Sequence, residues 1–97
     1  MAKRIIWTIR AYEERISILK FWNTQNQSKF YSKKLNLLFI KTINLISERP
    51  NIGRLTKKTG IRVKLVKDYL IFYEEKDETI YILSVWDGRR NPEDVPF

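Results

Sequence analysis

A chain of 97 residues allows one domain, and a hydrophobic fraction of 43% with 13% aromatics supplies one core and excludes intrinsic disorder. With no cysteine and no histidine, disulfides, thiolate or imidazole metal sites and the commonest neutral-pH general base are all excluded. The net charge of +8 is uneven: residues 28–67 carry eleven Lys and Arg against Glu48 alone, while residues 68–97 carry three against eight acids.

In chain order, Lys3 to Trp7 is short, β-branched and aromatic, which predicts a first strand. Thr8 caps the helix that follows, whose apolar residues recur at Ile9, Tyr12, Ile16, Leu19 and Trp22. Asn23 to Gln27 reads as a polar break, after which Ser28 caps a second helix carrying Tyr31, Leu35, Leu38, Phe39, Thr42, Leu45 and Ile46. Pro50 stops it. Asn51 to Gly60 is a basic loop. The period then falls to two, with Ile61, Val63 and Leu65 alternating with Arg62, Lys64 and Val66. Lys67-Asp68 predicts a turn, Tyr69 to Tyr73 a strand, Glu74 to Glu78 an acidic turn, and Thr79 to Trp86 a nearly continuous apolar strand suited to a central position. Asp87 to Pro92 begins a polar tail. The expected fold is α+β, in the order β-α-α-β-β-β, with a two-helix hairpin on one face of a mostly antiparallel sheet and a single domain over residues 1–97. The N-terminal residues lack the pattern of a signal peptide and the longest apolar run is too short for a bilayer, so the expected location is the cytoplasm, with no membrane partner.

The chemistry lies in the cations. Alternation puts Arg62 and Lys64 on the face opposite Ile61, Val63 and Leu65; if the helices cover the apolar face, these cations project from the open one. Arg54, Lys57 and Lys58 feed into the same strand, and Arg89-Arg90 follow the last one. Arginine's planar fork suits phosphate. Tyr69 shares a face with Tyr73 and is a candidate for stacking on unpaired bases or for moving a proton. The same positions also fit solvated strand cations, an Arg–Glu93 or Arg–Asp94 pair, and core tyrosines. No phosphate loop, metal constellation or nucleophile motif is present, so no cofactor and no metal are expected.

Ser47-Glu48-Arg49-Pro50, Gly53-Arg54, Gly60-Ile61-Arg62, Val66 to Tyr69, Ile71, Tyr73, Val85, Asp87, Arg89-Arg90 and Pro92, in that order, resemble the RelE/ParE toxin family of bacterial type II toxin–antitoxin systems. The resemblance spans essentially the whole chain. It implies a microbial-ribonuclease-like fold neutralised by a cognate acidic antitoxin. It also implies one of two activities: ribosome-dependent cleavage of mRNA as an endoribonuclease, or poisoning of DNA gyrase without chemistry of its own. On the first reading Arg62, Lys64 and Arg89 are catalytic, stabilising charge on the scissile phosphate, while Arg54, Lys57, Lys58, Arg90 and Tyr69 bind the RNA. The sequence departs from the nuclease pattern at Leu70, where RelE has an arginine, and in the tail, where Val95, Pro96 and Phe97 offer neither tyrosine nor histidine.

Overall fold

A computed structural model describes residues 2–26 and 29–97; the Ser28 cap lies outside them. Strand β1 (Arg4–Trp7) leads into helix α1 (Ile9–Asn26), helix α2 (Phe30–Glu48) and a 3-10 turn (Pro50–Ile52). Strands β2 (Arg54–Leu55), β3 (Ile61–Val66), β4 (Tyr69–Lys76) and β5 (Thr79–Asp87) follow, with a second 3-10 turn at Pro92–Asp94. The sheet runs β1-β5-β4-β3-β2. All neighbours are antiparallel except β1 and β5, which pair in parallel from Arg4↔Thr79 to Trp7↔Ile82. The two helices on a mostly antiparallel sheet are as expected. Among the described residues no helix is long and apolar enough to cross a membrane.

Thr8 caps α1: its Oγ1 accepts the Ala11 N–H at 3.1 Å and turns its own proton toward Ile82 O at 3.0 Å or Leu83 O at 3.2 Å. The polar stretch expected to break after Trp22 stays helical to Asn26. Of the stripe expected on α1, Leu19 and Trp22 pack on the core, joined by Ala11 and Ile18, while Ile9 and Tyr12 are exposed. Helix α2 buries Ser32, Leu35, Phe39, Ile43, Ile46 and Ser47. Glu74 to Lys76, expected in a turn, extend β4; the reversal is confined to Asp77 and Glu78, both with positive φ (53° and 61°), as a two-residue hairpin loop demands.

The sheet has a core on each face. Under the helices lie Val66, Tyr69, Ile71, Tyr73, Ile80, Ile82 and Val85 with Phe39, Ile43 and Ile46. On the far face Ile61, Val63, Phe72 and Trp86 cluster with Leu70, Leu83, Val95 and Phe97. A bulge in β5 opposite Phe72/Tyr73 interrupts the ladder. The Glu14 carboxylate of α1 repairs it, accepting from Ser84 Oγ at 2.7 Å and from the Val85 N–H at 3.2 Å.

Candidate functional site

Register decides where the cations of β3 go. Val66, Lys64 and Arg62 stand opposite Tyr69, Ile71 and Tyr73, which belong to the core beneath the helices. Arg62 and Lys64 are therefore on the helix-covered face, and Ile61 and Val63 on the far one. This reverses the expected arrangement, and the reason is physical. Both faces of the central strands are apolar, so the helices do not have to cover the face of Ile61, Val63 and Leu65. Leu65 itself, at the end of β3, is 63% exposed.

Arg62 is engaged with backbone. Its Nη1 donates to Gly53 O at 2.8 Å and to Asn51 O at 3.4 Å, closing the turn that leads from α2 into β2. The same turn is held from the core side by Tyr73, whose hydroxyl donates to Pro50 O at 2.7 Å and accepts from Gly53 N–H at 2.8 Å. Lys64 is half-buried and has no acidic partner among the described residues. Arg54 stands opposite Val63 and so belongs to the far face. It shares a groove there with Lys57 and Lys58. The cations gathered in sequence around β3 are thus divided between two sides of the sheet.

Tyr69 is a core residue, 3% exposed. Its ring meets Phe39 edge-on at 5.8 Å and its hydroxyl accepts from Trp22 Nε1 at 2.8 Å. Burial pushes its pKa above the ordinary tyrosine value, against the direction a neutral-pH base requires. A packed ring leaves no face on which a base could stack, so the stacking role expected of Tyr69 has no platform here.

Arg89 and Arg90 follow β5. Arg89 clamps Asp87 with both arms of its fork, Nε to Oδ1 at 3.0 Å and Nη2 to Oδ2 at 2.8 Å, and its own N–H also reaches Oδ1 at 2.9 Å. That contact holds the Asp87 carboxyl below its usual range. The Arg89 partner is Asp87 rather than the Glu93 or Asp94 considered from sequence. Arg90 places its guanidinium 4.0 Å from the Trp86 ring centroid and has no acidic partner among the described residues. Both arginines border a groove of about 660 Å³ between α1 and the ends of β4 and β5, with Arg10, Glu13, Ile18, Phe21, Tyr69 and Val85 around it. Residues of α1 were not singled out by sequence reasoning. The signal that could have found them is Ile9 and Phe21, large apolar side chains exposed on the helix beside Arg10 and Glu13. Among the described residues no group of three or more acidic or metal-binding side chains is assembled.

The comparisons with known proteins bear on this arrangement. Residues 5–92 match the family model described as the ParE toxin of type II toxin–antitoxin systems, parDE. No curated protein matches the sequence. Among solved structures the chain is similar to one titled the chromosomal ParDE TA system from P. aeruginosa, with a TM-score of 0.79 and 16% identity over 89% of this chain and 96% of that one. At that identity the likeness speaks for the fold. The family match covers nearly the whole chain, and the chain belongs to the ParE toxins of type II toxin–antitoxin systems.

Proposed function

We propose that this toxin acts by binding DNA gyrase and not by cutting mRNA, and that its working surface is the end of β5 with Arg89, Arg90 and the segment from Asp87 to Phe97. The observation that carries this reading is the division of the cations. A phosphoryl-transfer site needs its donors aimed together at the atom where charge develops. Here Arg62 is held by backbone carbonyls on the helix-covered side, Arg54, Lys57 and Lys58 line a groove on the far face, and Arg89 is bound to Asp87. The proton-transfer step has no occupant either, since Tyr69 is buried with a raised pKa and histidine is absent. Membership of the ParE family supports the same choice, because the ParE branch of the resemblance is the gyrase-poisoning one. A cytoplasmic location and a cognate antitoxin complete the reading.

One preparation of toxin is run in a supercoiling reaction with purified gyrase and in cell-free translation with primer extension on the message. Blocked supercoiling beside intact message is expected, with inhibition about tenfold weaker for Arg89→Ala/Arg90→Ala, the loss of roughly one exposed charge-assisted contact. Codon-phased cuts in the message would overturn the proposal.

A further inference from the structure

Among the described residues no α-helix covers the far face of the sheet. Val63, Leu70 and Phe72 form an apolar strip there, and the segment from Asn91 to Phe97 lies along it. Between strip and segment runs a groove of about 590 Å³ whose other bank is Arg54, Lys57 and Lys58. What occupies its edge is one acid followed by apolar side chains: Glu93, Val95 and Phe97. Glu93 meets Lys57 at 3.4 Å, and the Phe97 ring meets Phe72 edge-on with centroids 5.3 Å apart. The chain's own segment thus displays the chemistry that this groove accepts: a carboxylate toward the cationic bank, an aromatic ring on the apolar floor.

The segment is held weakly. Lys57 and Glu93 have side chains 92% and 72% exposed, so water and salt screen their attraction. The hydrogen bonds of the 3-10 turn, from Glu93 N–H to Asn91 Oδ1 and from Asp94 N–H to Asn91 O, both at 3.0 Å, are internal to the segment. Beyond Asp94 no backbone hydrogen bond ties it to the sheet among the described residues. Arg54 and Lys58 have no acidic partner among those residues, so two cations of the bank are unspent.

We infer that this groove is a peptide-binding site, filled in cis by residues 91–97, and that it takes in trans an extended acidic segment of a partner protein carrying an aromatic anchor. The incoming carboxylates lie against Arg54, Lys57 and Lys58, and the anchor replaces Phe97 on Phe72. A nucleic acid would use the cations but leave the apolar strip without a partner. Residues 91–97 also belong to the surface proposed for gyrase, but the groove itself, with Phe72 on its floor and Arg54, Lys57 and Lys58 as its bank, lies on the opposite side of the sheet from the groove beside α1, so peptide binding and gyrase inhibition can fail independently.

The test uses the full chain and a fluorescein-labelled peptide with the sequence of residues 91–97, titrated by anisotropy. The peptide binds a Phe97→Ala chain about tenfold tighter than the unaltered chain, because the competitor in cis has lost its anchor while the groove is intact. Adding Arg54→Glu and Lys58→Glu to that chain, or replacing the peptide's phenylalanine with alanine, weakens binding by about tenfold or more. Should Phe97→Ala lose its near-ultraviolet circular dichroism, Glu93→Lys, at an exposed position, releases the segment through repulsion from Lys57, and the peptide again binds severalfold tighter. Equal affinity of the unaltered and the folded released chains overturns the inference. So does displacement of the peptide by a single-stranded oligonucleotide at equal charge concentration. Arg89→Ala/Arg90→Ala, which leaves the lining of this groove and residues 91–97 unaltered, separates the two readings: it weakens supercoiling inhibition and leaves peptide affinity unchanged.

Discussion

Gly53 and Tyr73 are bound together so closely that neither can change alone. A Cβ on Gly53 would lie 2.7 Å from Cε1 of Tyr73 and closer still to its hydroxyl. The glycine is needed for this approach rather than for its dihedrals, since its φ of −75° suits any residue. Gly53→Ala forces the ring out of a close-packed site and strips the turn of its two hydroxyl contacts, and a loss of about 1–3 kcal/mol is expected in denaturant unfolding. Arg62, on the other side of the turn, is a structural cation by the same geometry. Burial raises the pKa of both Tyr73 and Tyr69 above the ordinary value near 10. A raised folded value means that the unfolded chain gives up these protons first. Stability is therefore complete below about pH 10 and falls as pH rises through the higher folded values. Tyrosinate absorbance and circular dichroism followed together through an alkaline titration should show these two tyrosines ionising only as the fold is lost; ionisation with the fold intact would contradict their burial.

The link between α1 and β5 is the element-scale counterpart. Glu14 reaches from the helix into the bulge and accepts from the Ser84 hydroxyl and the Val85 N–H. Glu14→Ala orphans both in a buried place and should lower stability by about 1–3 kcal/mol, whereas Glu14→Gln, which keeps an acceptor, should lose clearly less. Equal losses in thermal unfolding would mean that packing, not acceptance, is what Glu14 contributes. The helices and the meander of β3, β4 and β5 were legible in the sequence, because Thr8, Pro50 and the change of period from helix to strand are local signals. The side of the sheet that the helices cover was not. Leu70 and Phe72 alternate with Tyr69, Ile71 and Tyr73, so β4 is apolar on both faces and equally suited to either. A strand apolar on both faces needs a second cover, which was not expected from the sequence, and Val95 and Phe97 contribute to it. The candidate site was legible in residue type only: cations were expected where cations stand, but their grouping depends on register across β2, β3 and β4, which no local pattern reports.

For the molecule as a whole, the charge is carried outside the core. Lys33, Lys34 and Lys41 are exposed on α2 beside the exposed Leu37 and Ile40, and no acid interrupts residues 29–47. Such a face would attract an acidic partner over distance and offer it apolar contact on arrival. The dissociation constant of the toxin–antitoxin complex should rise steadily with salt across the physiological range, where charges are screened over roughly 8 Å. A constant unchanged from low to high salt would show that the apolar contacts alone hold the pair.

The parallel pairing of β1 with β5 also sets an order of events in time. Arg4 finds Thr79, 75 positions further along, only after the chain between them has been synthesised. Closing so long a loop carries an entropic cost of about 4 kcal/mol beyond the constant term, recovered only when the contacts form. The strand made first is thus among the last to settle, and contacts of this span slow a fold of modest size. Thr8 can lock onto Ile82 and Leu83, and Glu14 onto the bulge, only once that closure is made. The groove that Arg89 and Arg90 border has α1 as its other wall, so it too is complete only when α1 has been seated on β5. A nascent chain therefore carries no finished groove beside α1, and a partner that reads the groove meets it only after β1 and β5 have joined.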